Sequence, residues 1–506
     1  MANIFNTDKR IKLGIWGLGR GQSFVRSAAA LNIDVVAGCD IHPHMRETFK
    51  KNVPDAFVTD NEDEFLSRDF DAVLIATYFP DHAKHALKAL AAGKHVMSEV
   101  TSLYTPAQGV ELVEAVEKSG KVYNLLENYP FSKDNMFLKK LWGEGFFGEF
   151  MYGEFEYVHD CRTLTYAYNV EGGLPIEPGY QVHNWRSVFD VHQYNTHSLG
   201  PLMQITGLRP VSVWAPMADV VMPGYLADTT RGRLAPSMVQ MSNGGVMRNL
   251  MGNCTNDYHS ALRIWGTKAS AEKIRELKIR IGGCGNGAFL NIASEWPDLG
   301  DLASVTGHGG GDFWELYYFA RQILTGEPAP WDIYAAADVT ITGILAARSR
   351  RNGGVTYKIP DFRQKSDRDL FRNDDELLPT IDPLHIFPDG HDPKITGNFC
   401  PVMAKLFPMT SDGGVFTFRK AIEGMRIYPF VADAEGKMAI VHAVNKALQD
   451  LPQLASLCEQ AAAIMNAYPD STAGRTIKQA LTFVEMDKLR NIEATSQGFR
   501  DWLAKI

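Results

Sequence analysis

One segment restricts this chain more than any other. Ile11 to Asp40, IKLGIWGLGRGQSFVRSAAALNIDVVAGCD, reads as strand, glycine turn, helix, strand and acidic residue. The apolar run Ile11 to Trp16 suits a strand buried in a parallel sheet, and Gly17, Gly19 and Gly21 let the backbone turn where a side chain would block a pyrophosphate. A helix starting there offers an anion its unpaired N–H groups and the positive end of its dipole. Asp40 ends the second strand, where a carboxylate accepts hydrogen bonds from ribose hydroxyls and repels a 2′-phosphate, so the expected cofactor is NAD rather than NADP. Gln22 stands where the usual fingerprint has its third glycine, so the reading rests on the order of elements around the turn rather than on glycines alone.

At 506 residues the chain exceeds a single core, and roughly two to four domains are expected. Hydrophobic residues at 45% suffice for a large core, and a net charge of -8 argues against a nucleic-acid surface, which needs clustered Lys and Arg. The six cysteines lie far apart without a C-x-x-C pair, which points to free thiols in a reducing compartment. MANIFNTDKR lacks the apolar core of a signal peptide, and no run approaches the ~20 apolar residues of a membrane span. A cytoplasmic protein without membrane or nucleic-acid partners is therefore expected. His42, His44, His385 and His391 lack ligand-like spacing, and no metal is expected.

Helix and strand patterns alternate after Asp40: helix Pro43 to Asn52, strand Ala56 to Thr59, helix Glu62 to Arg68, strand Asp71 to Thr77, helix Asp81 to Ala92 with Asp81 as cap, strand His95 to Val100, helix Pro106 to Ser119 and strand Val122 to Glu127. From Phe147 the pattern changes to FGEFMYGEFEYVHD, the alternation of a half-buried antiparallel strand. Further strands are expected at Val211 to Ala215, Met238 to Met241, Val246 to Met251, Ala261 to Trp265 and Leu277 to Ile281, with turns at Asn243-Gly244 and Gly282-Gly283. Helices Phe313 to Leu324 and Ile333 to Arg348 and a short strand Val355 to Ile359 follow. Lys365 to Asp412, rich in Asp and Pro, reads as an irregular arm. Met438 to Leu448, Leu451 to Ala467 and Thr472 to Lys505 read as helices punctuated by Pro452 and Pro469. The expected class is α/β: a parallel nucleotide-binding domain over 1–130, an α+β domain with a largely antiparallel open sheet over 131–365, and an irregular arm with a helical extension over 366–506.

GLGRG, Asp40, the block TYFPDHAKHALKALAAGKHVMSEV and the alternating strand from Phe147 together resemble the glucose-fructose oxidoreductase / inositol dehydrogenase (Gfo/Idh/MocA) family over roughly Lys12 to Phe362. That resemblance implies a Rossmann domain, an open-sheet second domain, NAD(P) between them, sugar-like substrates and a homo-oligomer. The family's usual Glu-Lys-Pro is replaced by Glu99-Val100-Thr101, and its usual Asp and His pair by Gln193 and His197. A branch of NAD-dependent glycosidases of the α-N-acetylgalactosaminidase type is similar at these places, in SEVTS, LLENYPF, YVHDCR, HNWR, YNTHSLGP, HGGGDF and IPDF. The resemblance implies His197 and Tyr194 as catalytic residues. It also implies cofactor contacts from Gly17, Leu18, Gly19, Arg20, Gly21, Asp40, His82, Glu99, Asn128, Trp185 and Arg186, and a sugar contact from Glu127.

Each of these residues also has a plainer reading. His197 suits a base for a sugar hydroxyl, with Tyr194 on the same helix face and Gly200-Pro201 as a stop, although a lone His on an apolar helix is commonly a core residue. His159, Asp160 and Arg162, at the end of a strand, suit either sugar recognition or a buried salt bridge. Glu99 at a strand's carboxyl end faces the cofactor crevice of a doubly wound sheet. His308 with Asp312 could suggest a metal, but the glycines between them read as a helix start with Asp312 as its N-cap. The expected function is hydride abstraction from a pyranose or pyranoside ring carbon, C3 by this reading, leading to glycoside cleavage. The alternatives are an ordinary sugar or polyol dehydrogenase and a non-catalytic NAD- or sugar-binding protein.

Overall fold

The structure, a computed structural model, describes residues 4–167, 189–252, 258–259, 261–281, 289–378, 385–407 and 414–506. Strands β1 (Ile11–Trp16), β2 (Ile33–Cys39), β3 (Phe57–Thr59), β4 (Ala72–Ile75), β5 (His95–Glu99) and β6 (Tyr123–Leu126) form one wholly parallel sheet in the order β3-β2-β1-β4-β5-β6. Strand order reverses between β1 and β4, and a ligand crevice opens at such a switch point beyond the carboxyl ends of the strands. Gly17, Asp40, Glu99 and Glu127 all follow or close strands on that rim. Helix Pro106–Ser119 has the expected bounds because Thr105 and Gln108 make a capping box and Gly120 ends the helix at φ 64°.

Two local expectations are corrected. The segment after the glycine turn is a tight succession of 3-10 helix Arg20–Phe24, one α-turn Val25–Ala28 and 3-10 helix Ala29–Leu31, rather than a regular helix. Asp81 makes no side-chain cap, because Phe79–Asp81 is already a 3-10 turn leading into helix His82–Ala91.

The second sheet contains β7 (Phe150–His159), β8 (Pro210–Trp214), β9 (Leu234–Met241), β10 (Val246–Gly252), β11 (Tyr258–His259), β12 (Leu262–Gly266), β13 (Ala269–Lys273), β14 (Leu277–Ile281), β15 (Leu290–Asn291) and β16 (Tyr357–Lys358). Its order is β15-β14-β13-β12-β7-β10-β9-β8-β16, with β11 pairing β7, and among the described residues every pair is antiparallel except β7 with β10. Alternation divides β7 as expected: Phe155 and Tyr157 are buried, while Glu154 and Glu156 face outward and pair with Arg248. Strand β13, polar and short, was not expected. The Asn243-Gly244 turn is present with Gly244 at φ 89°, whereas Gly282-Gly283 lies outside the described residues.

Helix Thr196–Thr206 runs through Pro201, which the sequence suggested as a stop. Its side chains are almost all buried, and that packing holds it to Gly207, left-handed at φ 71°. Helices Gly311–Thr325 and Ile333–Arg351 complete one core shared by both sheets.

The expected irregular arm is partly helical, at Lys365–Phe371, Pro393–Thr396 and Phe399–Leu406. An additional helix, Gly414–Ile427, precedes a single helix Ala434–Ala467 that continues through Pro452. With Thr472–Leu481 and Ile492–Leu503 these elements enclose a second core. No helix among the described residues is long and apolar enough to cross a membrane.

Candidate active site at the strand rim

The glycine turn is built for close approach. Gly17 has φ 94°, and a Cβ there would lie 2.3 Å from the Ala76 carbonyl oxygen. A Cβ on Gly21 would lie 2.5 Å from Ile15, so β1 and the following helical turn lie too close for any side chain at that position. Asp40 accepts hydrogen bonds from the backbone N–H groups of Leu18 (2.6 Å) and His42 (2.8 Å), which fixes its carboxylate beside the turn. Asn128 keeps a buried side-chain oxygen without a partner among the described residues. A glycine turn that tolerates no side chain, a clamped carboxylate at the end of β2 and an unpaired amide oxygen beyond β6 fit a dinucleotide.

His197 lies in the first turn of helix Thr196–Thr206, and its Nδ1 is 2.8 and 2.9 Å from the two carboxylate oxygens of Glu127 just beyond β6. Nδ1 therefore carries the proton and donates, which leaves Nε2 as the basic nitrogen. Three tyrosine rings surround the imidazole: Tyr129 at 4.5 Å between centroids, Tyr194 at 4.6 Å and Tyr157 at 4.7 Å. His197 also lines a cavity of about 180 Å³ with Tyr129, Phe155, Lys273 and His308, between the strand rim and the second sheet. Glu127, read from the sequence as a sugar contact, is instead fully buried and directed at His197. That contact fixes the orientation of the imidazole.

The second cluster was only half legible. Arg20 of the glycine turn donates to Glu99 (2.9 Å) and in bidentate fashion to Asp312 (2.9 and 2.7 Å), and His308 Nδ1 lies 2.9 Å from Asp312. The N-cap of helix Gly311–Thr325 is Gly310, so the expectation that Asp312 caps it is wrong. The HGGGD run earns its glycines sterically. Gly309 and Gly310 are left-handed at φ 61° and 95°, and a Cβ on Gly311 would lie 2.5 Å from the Asn128 carbonyl oxygen. That turn brings His308 and Asp312 against Arg20. Burial alone would raise the Asp312 carboxyl, but hydrogen bonds from Arg20 and His308 outweigh it and hold the group far below the usual carboxylate range.

One turn further along, Glu315 is 4% exposed, and neither carboxyl oxygen has a hydrogen-bond partner among the described residues. Burial, then the neighbouring Asp312 and Glu99 charges, push its carboxyl well up. Sequence reading missed Glu315, Tyr129 and Tyr157. Only the three-residue spacing of Asp312 and Glu315 on one helix could have signalled the first.

Other expected contacts are reassigned. His82, expected at the cofactor, is 2% exposed with its ring nitrogens 3.1 Å from the carbonyl oxygens of Thr101 and Thr77, so it joins the loops after β4 and β5. Burial lowers its pKa even against those carbonyls. Arg162, expected at the sugar, is wholly buried. It forms a forked pair with Asp160 (2.6 to 3.2 Å), donates to the Pro223 carbonyl, and packs on the rings of Phe407, Phe416 and Phe483. Of the two readings held open for this trio, the buried salt bridge holds for Asp160 and Arg162. His159 is buried beside them, its Nδ1 2.8 Å from the Asp160 carbonyl oxygen. Trp185 and Arg186 lie outside the described residues. Among the described residues no group of His, Cys, Asp and Glu could hold a metal ion.

Residues 11–126 match the oxidoreductase family with an NAD-binding Rossmann fold, GFO_IDH_MocA, and residues 294–367 match the C-terminal domain of glycosyl hydrolase 109. An alpha-N-acetylgalactosaminidase of Tannerella forsythia is 26% identical over 416 residues, covering 70% of this chain and 87% of that protein. A glycosyl hydrolase family 109 protein of Saccharopolyspora erythraea is 26% identical over 410 residues, covering 72% and 85%. Among solved structures, a levoglucosan dehydrogenase in complex with NADH and L-sorbose superposes with a TM-score of 0.59 at 18% identity, covering 70% of this chain and 100% of that one. A UDP-N-acetylglucosamine 3-dehydrogenase of Acidithiobacillus ferrooxidans gives a TM-score of 0.53 at 17% identity, covering 67% and 98%.

Proposed function

From the premise that this chain carries the NAD-binding Rossmann domain of GFO_IDH_MocA oxidoreductases and the C-terminal domain of glycosyl hydrolase 109, we propose that it is an NAD-dependent enzyme that cleaves a pyranoside through oxidation of a ring carbon, C3 by this reading. One observation supports this above the rest: a histidine oriented by a buried glutamate, ringed by tyrosines and lining a cavity between the two sheets. NAD, held by the glycine turn and Asp40, would supply the hydride acceptor for the ring carbon and the hydride donor after cleavage. His197 Nε2 takes the hydroxyl proton as the ketone forms, and Glu127 stabilises the imidazolium that results. The ketone acidifies the neighbouring C2 proton. Tyr194 then serves at C2 or at the departing aglycone, the C1–O bond breaks, and water adds across the resulting double bond. No oxocarbenium ion forms, so the site needs no pair of carboxylates at fixed separation.

Within this reading Gly17 to Gly21, Asp40, Glu99 and Asn128 hold the cofactor, together with Trp185 and Arg186. Segments 1–130, 131–365 and 366–506 serve as nucleotide-binding, substrate and appended domains, in a cytoplasmic homo-oligomer. A panel of aryl glycosides in deuterated water tests the reaction. The expected result is aglycone release without net NADH accumulation and with deuterium at C2 of the sugar. Stoichiometric NADH from an intact glycoside would replace cleavage by simple dehydrogenation, and no turnover of any sugar or glycoside would leave a binding protein.

A further inference from the structure

Two histidines line the cavity of about 180 Å³, and the reaction as assigned uses only His197. His308 is built in the same way. Its Nδ1 lies 2.9 Å from Oδ1 of the buried Asp312, as Nδ1 of His197 lies on the buried Glu127, and its Nε2 has no hydrogen-bond partner among the described residues. Arg20 grips Asp312 through two further bonds (2.9 and 2.7 Å), so the carboxylate holds the ring in one orientation. The backbone points the same way. His308 has φ 51°, in the left-handed region that a residue with a Cβ avoids, although Gly307 precedes it and Gly309, Gly310 and Gly311 follow. A turn that served only to start helix Gly311–Thr325 would be relaxed by one more glycine at 308. Strain of this kind is kept where the side chain itself is needed.

The two rings stand at different depths. The His308 side chain is 40% exposed and that of His197 7%, so His308 faces the solvent end of the cavity and His197 its interior. The other ionisable groups nearby are engaged: Lys273 is paired with Asp134 (2.5 Å), Glu156 with Arg248 (2.6 Å), and Tyr129 packs on the His197 ring. Oxidative cleavage moves protons at three places, the ring hydroxyl, C2 and the aglycone oxygen. His197 and Tyr194 cover two of them.

We propose that His308 protonates the departing aglycone oxygen, which leaves Tyr194 as the group that serves C2. This rests on the reading of the site as an oxidative glycosidase. Tyr194, as phenolate, takes the C2 proton, and the C2–H electron pair forms the C1–C2 double bond. The C1–O pair passes to the aglycone oxygen, which receives the proton from His308 Nε2. Water then adds at C1 and gives its proton to the neutral imidazole, while Tyr194 returns a proton to C2, so both side chains end the cycle as they began. An acid at the solvent end suits this step, because the aglycone leaves towards solvent while the reacting ring stays beside His197.

The test compares leaving groups of similar shape. 4-Nitrophenolate departs without a proton and benzyl alcohol does not, so loss of the acid is felt with the second and spared with the first. The 4-nitrophenyl and benzyl glycosides of the sugar that responds in the glycoside panel are given to the full, NAD-loaded chain and to His308→Asn. Asparagine tolerates the left-handed backbone and can still donate to Asp312, but has no proton to transfer. The expected result is a kcat/KM lowered about 10²-fold or more for the benzyl glycoside and less than about tenfold for the 4-nitrophenyl glycoside, with NAD affinity unchanged. His308→Gly, which relaxes the backbone, stands in if His308→Asn does not fold, and added imidazole should then restore cleavage of the benzyl glycoside. Equal losses on both glycosides, or no loss on the benzyl glycoside, overturns the proposal, while wild-type cleavage with deuterium at C2 would keep the glycosidase reading. A wild type that releases neither aglycone overturns that reading and the proposal with it.

Discussion

His197 has one nitrogen held by Glu127 and the other free of hydrogen bonds from the described residues, so the two side chains contribute differently. His197→Ala should lower kcat by about 10²–10⁴-fold, the range for a positioned general base. Glu127→Gln keeps the shape but weakens the imidazolium, and should lower kcat with little change in KM. Steady-state kinetics on the responsive glycoside checks both, and unchanged rates in His197→Ala would remove it from the mechanism. Asp312 and Glu315, neighbours on one helix, should respond to pH with opposite signs. Asp312 has a depressed carboxyl, so its contribution is present above its unfolded value of about 3.9 and disappears as pH falls through the folded value. Asp312→Asn should therefore cost roughly 1.5–3 kcal/mol at neutral pH, and less in acid. Glu315 has a raised carboxyl, so its burial is tolerated below about 4.3 and becomes destabilising as pH rises towards the folded value. Glu315→Gln should leave neutral-pH stability equal or higher and flatten its decline with rising pH. Urea denaturation at a series of pH values reads both; a Glu315→Gln variant that is less stable at neutral pH would show that the carboxyl is ionised and satisfied. Asp40→Ala should narrow the preference for NAD over NADP, measured as the ratio of their dissociation constants, because the like charge facing a 2′-phosphate is gone.

At the scale of elements, period and caps decided what could be read. Helix Pro106–Ser119 was legible to the residue because its cap, proline and terminal glycine are local signals. Pro201 and Pro452 misled for one reason. A proline removes one helix hydrogen bond and strains one turn, a cost of about 3 kcal/mol, and helices buried on packed cores absorb that cost through contacts that sequence does not display. Pro452→Ala should accordingly stabilise the chain by about 1–3 kcal/mol, read as a higher denaturation midpoint without a change in activity. A lower midpoint would mean that the proline ring itself packs in the second core. The HGGGD turn misled in the opposite direction. Its glycines do begin a helix, but their left-handed and crowded geometry serves to carry Asp312 to Arg20, a residue far away in the chain.

At the scale of the molecule, the C-terminal helices are fastened to the segments that leave β7 and enter β9 of the second sheet rather than merely adjacent to them. Arg162 is buried between Asp160 and the rings of Phe407, Phe416 and Phe483, and Thr476 accepts from the Ala227 N–H. Deleting residues 385–506 would uncover that arginine and the apolar residues around Tyr166, so the truncated chain should aggregate. Any soluble fraction should still bind NAD, since the glycine turn and Asp40 lie in the first sheet. Light scattering with NAD titration checks this, and a monodisperse fragment that has lost NAD affinity would show that the extension reaches the cofactor. What the sequence determined by itself is whatever depends on neighbours along the chain: the parallel nucleotide-binding sheet, its glycine turn and acidic residue, the alternation read from Phe147 that the strand Phe150–His159 carries, and the pairing of Tyr194 with His197. What only the tertiary structure decided is which charges meet. Glu127 on His197, Arg20 on Asp312 and Arg162 beneath the C-terminal rings are contacts between distant segments. The same residue types, His, Asp, Glu and Arg, make ligand contacts or buried ion pairs according to whether burial leaves them a solvent-facing atom, and local spacing carries no record of burial.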